Sequence, residues 1–131
     1  MQIKRFRLSE HGHHMRYLFE RHMMRPENME ELPSVGLIAI DGDTPIAAGF
    51  LRYIEGNFAL LDGLITNPTQ LGSTRHAAID AVVSGLISIA VRLGYTRLMA
   101  NSVDESTLTR SLKHGFKPLD HKVIVLDLRE K

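Results

Sequence analysis

The succession of hydrophobic periods predicts an α/β chain, with a central mixed sheet of about six strands and helices on both faces. Three observations carry that expectation. Between Val35 and Thr66 the residues run in strand-like segments broken at Asp41-Gly42-Asp43 and Gly56-Asn57, which reads as a three-strand antiparallel meander. From Arg75 to Leu93 apolar residues cover most of a helical circumference, so that helix is expected to be buried on more than one side. The short strand Thr96–Ala100 after Gly94 should then lie parallel to its predecessor, reached by a right-handed crossover.

The remaining elements follow in order. Gln2 to Leu8 spaces Ile3, Phe6 and Leu8 among Lys4, Arg5 and Arg7 and reads as a short strand with a basic outer face. Ser9 is the expected N-cap of a helix whose Met15, Leu18, Phe19, His22 and Met23 form one packed stripe, while Arg16, Glu20 and Arg21 face water. Pro26 closes that helix, and a small helical turn fits Glu27–Leu32, ended by Pro33. The meander strands are Val35–Ile40, Pro45–Tyr53 and Phe58–Thr66. Gly94 caps the long helix, and Asp104 or Ser106 starts a last one, which stops at Gly115 with Arg110, Lys113 and His114 near its negative end. Val123–Leu128 is the final strand, which either closes its own sheet or pairs with that of a second copy in a homodimer.

Composition excludes several functions. A chain of 131 residues with no repeat or linker has room for one domain, read as 1–131, and its net charge of +1 creates no field that would select nucleic acid or an anionic membrane. The absence of cysteine removes disulfides, thiolate nucleophiles and zinc ribbons, and the N-terminus lacks a signal-peptide core. A cytoplasmic location is the expectation.

The element order, the Asn67-Pro68 turn before the long helix and the segment Ser111-Leu112-Lys113-His114-Gly115-Phe116 together resemble the GNAT N-acetyltransferase superfamily over nearly the whole chain. The resemblance implies that acetyl-CoA binds in a V-shaped gap between the fourth and fifth strands and that an amine attacks it directly. In that family an Arg or Gln, two residues, a Gly, one residue and then Gly or Ala open the long helix, where free N–H groups and the helix dipole meet the pyrophosphate. Counted from Pro68, this segment falls on Leu71-Gly72-Ser73-Thr74-Arg75-His76, without the basic residue and the key glycines. Counted back from Gly94, it falls on Arg75-His76-Ala77-Ala78-Ile79-Asp80, with the Arg kept and Ala in place of the first Gly. The second register is preferred, leaving Pro68–Thr74 as a lengthened bend. The implied cofactor contacts are the backbone of Ile65 and Thr66, which would pair with the pantetheine arm as a further strand, together with Ser73, Thr74, Arg75, Ala77 and Ala78. On the residues alone, Gly72-Ser73 reads equally as a plain loop with Ser73 or Thr74 as an N-cap.

Attack on a thioester needs a neutral amine, and therefore a base. The resemblance makes Asp62, on the strand leading into the bend, the candidate, acting through a relayed proton; the residues alone fit equally an Asp62-Gly63 bulge with the carboxylate bonded to local backbone. The family's tyrosine acid falls on Ser111, which cannot serve, leaving Tyr53, Tyr95 or a water; its usual Asn before this helix is replaced by Asp104. His11 and His14 have helical spacing, but few acidic residues complete a metal set, so a helix face is the stronger reading and no metal is expected. His22 or Glu27 falls on the side that the family uses for the acceptor. The expected function is transfer of an acetyl group from acetyl-CoA to a small-molecule or protein amine. The alternatives are a non-catalytic binding or assembly protein of the same fold, phage-encoded ones among them, or an acyl-CoA sensor.

Overall fold

Five strands form one sheet in sequence order: β1 (Gln2–Arg5), β2 (Val35–Asp41), β3 (Thr44–Tyr53), β4 (Phe58–Thr66) and β5 (Arg97–Ala100). β1 to β4 pair antiparallel and β5 runs parallel to β4, as the crossover required. This computed structural model describes residues 1–23, 29, 31–54, 56–100, 105–119, 126 and 128. The final strand expected at Val123–Leu128 lies outside them except for Leu126 and Leu128, both exposed, so the sheet described has five strands.

Helices α1 (Leu8–Arg21) and α2 (Gly72–Arg92) cover opposite faces of the sheet, a consequence of strand alternation. Ala48 and Phe50 of β3 join a core of Phe6, Met15, Leu18, Phe19, Ile38, Ile40 and Ile65 beneath α1. Gly49, between them, points the other way. A Cβ at Gly49 would lie 2.5 Å from Leu64 Cδ2 and 3.0 Å from Val82 Cγ1, so α2 approaches the sheet at a point where no side chain intervenes.

The chain divides into two compact units, Met1–Asn101 and Ser102–Lys131. The first holds the sheet with α1 and α2. The second holds α3 (Glu105–Lys113), in which Ser106 lies inside the helix rather than at its cap; Asp104 lies outside the described residues. Both α2 and α3 end in a left-handed glycine: Gly94 has φ 88°, and Tyr95 N–H reaches back to Ala90 O at 3.1 Å, while Phe116 N–H reaches Ser111 O past Gly115.

Several boundaries depart from the sequence reading. β1 stops at Arg5 and Leu8 already belongs to α1, whose N-cap is Arg7 rather than Ser9. No side chain caps that end in the usual sense; the Arg7 N–H is instead taken by His11 Nδ1 at 2.9 Å. His22 and Met23 are not part of the packed stripe: both are exposed, and Met23 turns the chain with φ 58°. Of the turn expected at Glu27–Leu32, Met29, Glu31 and Leu32 are described, with Pro26 outside. α2 begins at Gly72, three residues before Arg75, and buries one stripe, Ala78, Ile79, Val82, Val83, Leu86 and Ala90, while Val91 is 68% exposed.

Candidate functional site

The site is built on β4, which changes character halfway along. β5 pairs with Phe58 to Leu61, and among the described residues no strand pairs with that edge from Asp62 to Thr66. The change coincides with a bulge. Phe50 faces Asp62 but Ala48 faces Ile65, so β4 holds one residue more than β3 there, and Gly63 takes φ 61°, a conformation costly for any residue with a Cβ. The bulge anticipated as the alternative reading of Asp62 is thus present.

Ladder alternation decides which backbone groups face the open edge. Asn67 N–H donates to Ile46 O at 2.7 Å, so the Asn67 and Ile65 positions turn their own groups into the β3 ladder. Thr66, between them, turns its N–H and C=O outward. Of the two backbone positions inferred from the resemblance, Thr66 is therefore the one whose groups face the edge, its C=O meeting His22 Nε2 at 2.7 Å, whereas Ile65 contributes a buried core side chain.

The bend from β4 to α2 is held by one buried side chain. Asn67, with no exposed surface, donates from Nδ2 to Pro45 O at 2.9 Å, and its Oδ1 accepts from Thr69 N–H at 3.0 Å and Thr69 Oγ1 at 2.7 Å. The Tyr17 hydroxyl joins this cluster from α1, and hydrogen bonding, first to Arg21 and then to Thr69, pulls the phenol below its ordinary value. The Arg21 guanidinium sits 4.8 Å over the Tyr17 ring.

α2 then starts with its donors free. Leu71 is the N-cap, no side chain caps the end, the first turn holds no acidic residue, and the first backbone bond is Arg75 N–H to Leu71 O at 3.0 Å. The N–H groups of Gly72, Ser73 and Thr74 precede that bond and are unspent within the helix. The helix start at Gly72 falls inside the segment counted from Pro68, whereas the preferred register, counted back from Gly94, begins at the fourth residue of the helix. Ser73 and Thr74 lie in the first turn; Ala77 and Ala78 lie beyond it, Ala77 exposed and Ala78 in the core, with their N–H groups in the helix ladder. Arg75 supplies the positive charge from the far side of that turn. Its Nη2 lies 3.7 Å from where a Gly72 Cβ would be, and its Nε is buried with no hydrogen-bond partner among the described residues.

Asp62 is engaged on both oxygens. Oδ2 accepts from Arg52 Nε at 2.7 Å and Oδ1 from Gly63 N–H at 2.8 Å, while Arg52 Nη2 donates to Glu31 O at 2.6 Å. The pair is about two-fifths exposed, so water reaches the remaining lone pairs. Arg52 was not singled out in the sequence: a two-residue turn at Gly56-Asn57 would pair it with Leu61 and set it on the face opposite Asp62, whereas the observed ladder pairs it with Leu60 and sets it on the same face. Tyr53 lies opposite Ala59 and stacks on Tyr95 at 5.6 Å, at the paired end of β4 rather than the open one. Ser111 Oγ donates to Leu108 O within α3. Among the described residues no group of His, Asp and Glu could hold a metal ion.

Among the described residues the pairing of the fourth strand with the fifth stops at a bulge, next to an uncapped helix start, and the fold is the one seen in solved GNAT acetyltransferases. Among solved structures the chain is similar to a GNAT-family acetyltransferase from Streptococcus pneumoniae (TM-score 0.72, 18% identity, 98% of each chain covered). It is also similar to a Mycobacterium tuberculosis protein solved in complex with CoA (TM-score 0.74, 16% identity, 95% of this chain and 76% of that one). A third is glucosamine-6-phosphate N-acetyltransferase from Arabidopsis thaliana (TM-score 0.72, 12% identity, 95% and 97% covered). No protein-family model matches the sequence, and no curated protein matches it either.

Proposed function

We propose that the chain is a cytoplasmic acetyl-CoA-dependent N-acetyltransferase that transfers the acetyl group to an amine by direct attack. The observation that carries this reading is the half of β4 that has no partner strand among the described residues, beside the N–H groups of Gly72, Ser73 and Thr74 and the buried Arg75 Nε, which has no hydrogen-bond partner among those residues. Those groups suit a pyrophosphate: backbone N–H donors at a helix start and a guanidinium whose buried Nε has no partner among the described residues. The outward N–H and C=O of Thr66 suit an amide of the pantetheine arm. The bound cofactor supplies an acetyl thioester. The protein's own contribution is to align it along β4 and to take up the proton of the amine at Asp62 through a water, since both carboxylate oxygens already hold donors.

The same engagement of Asp62 by Arg52, with Ser111 in the position of the family's acid, favours the second reading: binding of acyl-CoA without turnover. Calorimetric titration with acetyl-CoA tests both. Saturation at about a hundred times Kd raises stability by about 2.7 kcal/mol, and Arg75→Ala weakens binding. No binding at millimolar acetyl-CoA refutes both readings. Asp62→Asn retains binding and loses thiol release with an amine panel if it is the base; an unchanged rate removes it from that role.

A further inference from the structure

Thr66 C=O, the outward-facing acceptor at the end of the open edge, is already taken. The His22 Nε2 sits 2.7 Å from it, 44 residues away in sequence. His22 is the C-cap of α1, and the left-handed Met23 behind it ends the helix so that the imidazole crosses to β4. A carbonyl oxygen accepts, so Nε2 carries the hydrogen and His22 is the donor. The geometry is that of a ladder bond: a side-chain N–H in the place where a strand-like ligand would put an amide N–H.

We propose that His22 is a residue of the acyl-CoA arm site, a donor that competes with an arm amide for the Thr66 carbonyl and gives it up when the arm binds. The inference rests on the acyl-CoA reading above. Three observations support it. Thr66 is the position whose backbone faces away from β3. His22 is exposed, so its ring can leave without opening the core. The bend beyond Thr66 is pinned by Asn67 from the other side, so the ring and not the strand is the movable partner. A nucleotide lacking the arm would engage the α2 start and leave His22 where it is.

The test is a pair of titrations on wild type and His22→Ala, one with CoA and one with adenosine 3',5'-bisphosphate, which has no arm. Losing a donor that the ligand must displace tightens CoA binding by about 2- to 10-fold, the equivalent of one net hydrogen bond, and leaves the nucleotide unchanged. Nitrogen-15 spectra of the His22 ring show the Nε2–H form bonded in the free protein and a shift on CoA alone. Equal or weaker CoA binding by His22→Ala, or a ring unmoved at CoA saturation, overturns the assignment of His22 and leaves the acyl-CoA reading standing. CoA binding to neither protein overturns both.

Discussion

Removing the Asn67 side chain should be among the most damaging single changes in the protein, although it is a polar residue. Asn67→Ala deletes three side-chain hydrogen bonds at a position without exposed surface and leaves Pro45 O and the Thr69 donors to find other partners. At about 1 kcal/mol net for each bond, the loss is about 3 kcal/mol, more where a group is left buried and unsatisfied. With a urea slope of about 1.5–2 kcal/mol/M, the midpoint falls by about 1.5–2 M. Two companion variants separate the contributions. Thr69→Val removes the Oγ1 bond alone and costs about 1 kcal/mol. Asn67→Asp keeps both acceptor bonds, loses the donor to Pro45 O and buries a carboxylate against that carbonyl, so it is at least as destabilising as Asn67→Ala. Equilibrium urea unfolding measures all three. A loss below about 1 kcal/mol for Asn67→Ala would refute the argument that this side chain, rather than the Asn67-Pro68 backbone, holds the bend.

Two further outcomes follow from the packing. His11 and His14 both titrate below 6.5, chiefly because burial disfavours the imidazolium; at His11 Glu10 opposes this while Lys4, His13 and Arg7 reinforce it, and at His14 His13 and His11 reinforce it while Asp43 opposes. Their neutral forms therefore add stability that is complete above pH 6.5 and is lost as pH falls from there through the folded values. Urea midpoints should fall over that window in wild type and fall less in His11→Gln, which keeps an acceptor for Arg7 N–H; parallel profiles would exclude His11 as a source. Gly49→Ala should cost about 1–3 kcal/mol by pushing Leu64 and Val82 apart, read as a lowered thermal midpoint, and a neutral effect would mean that α2 moves freely on the sheet.

Local patterns were legible and cross-chain ones were not. Phe58–Thr66 was read with the bounds it has, because alternation and the Gly56-Asn57 turn are both contained in the segment. Asp62-Gly63 was recognisable as a bulge for the same reason. The start of α2 was misplaced because Ser73 and Thr74 look like caps; the helix begins before them, with the approach fixed by Asn67 bonding to Pro45, a partner 22 residues away. His22 was expected in a packed stripe on spacing alone, yet a helix that ends at Arg21 turns it toward Thr66 instead. The resemblance pointed to the end of β4 and the start of α2, and only the ladder parity distinguished Thr66 from Ile65.

That parity is accommodated by a single extra residue. Because β4 carries one more residue than β3 between Asp62 and Ile65, both side chains fall on the α1 side although three positions separate them. Deleting Gly63 would remove the bulge and shorten the strand by about 3 Å, leaving Leu64 opposite Gly49 and Ile65 still opposite Ala48 in a regular ladder. A one-residue indel between the bulge and Thr66 with the bulge kept would instead exchange inside for outside at every later position, taking Ile65 out of the core and turning the Thr66 backbone into the sheet. The bulge is therefore the one place in this strand where its length can change by a residue without inverting the site.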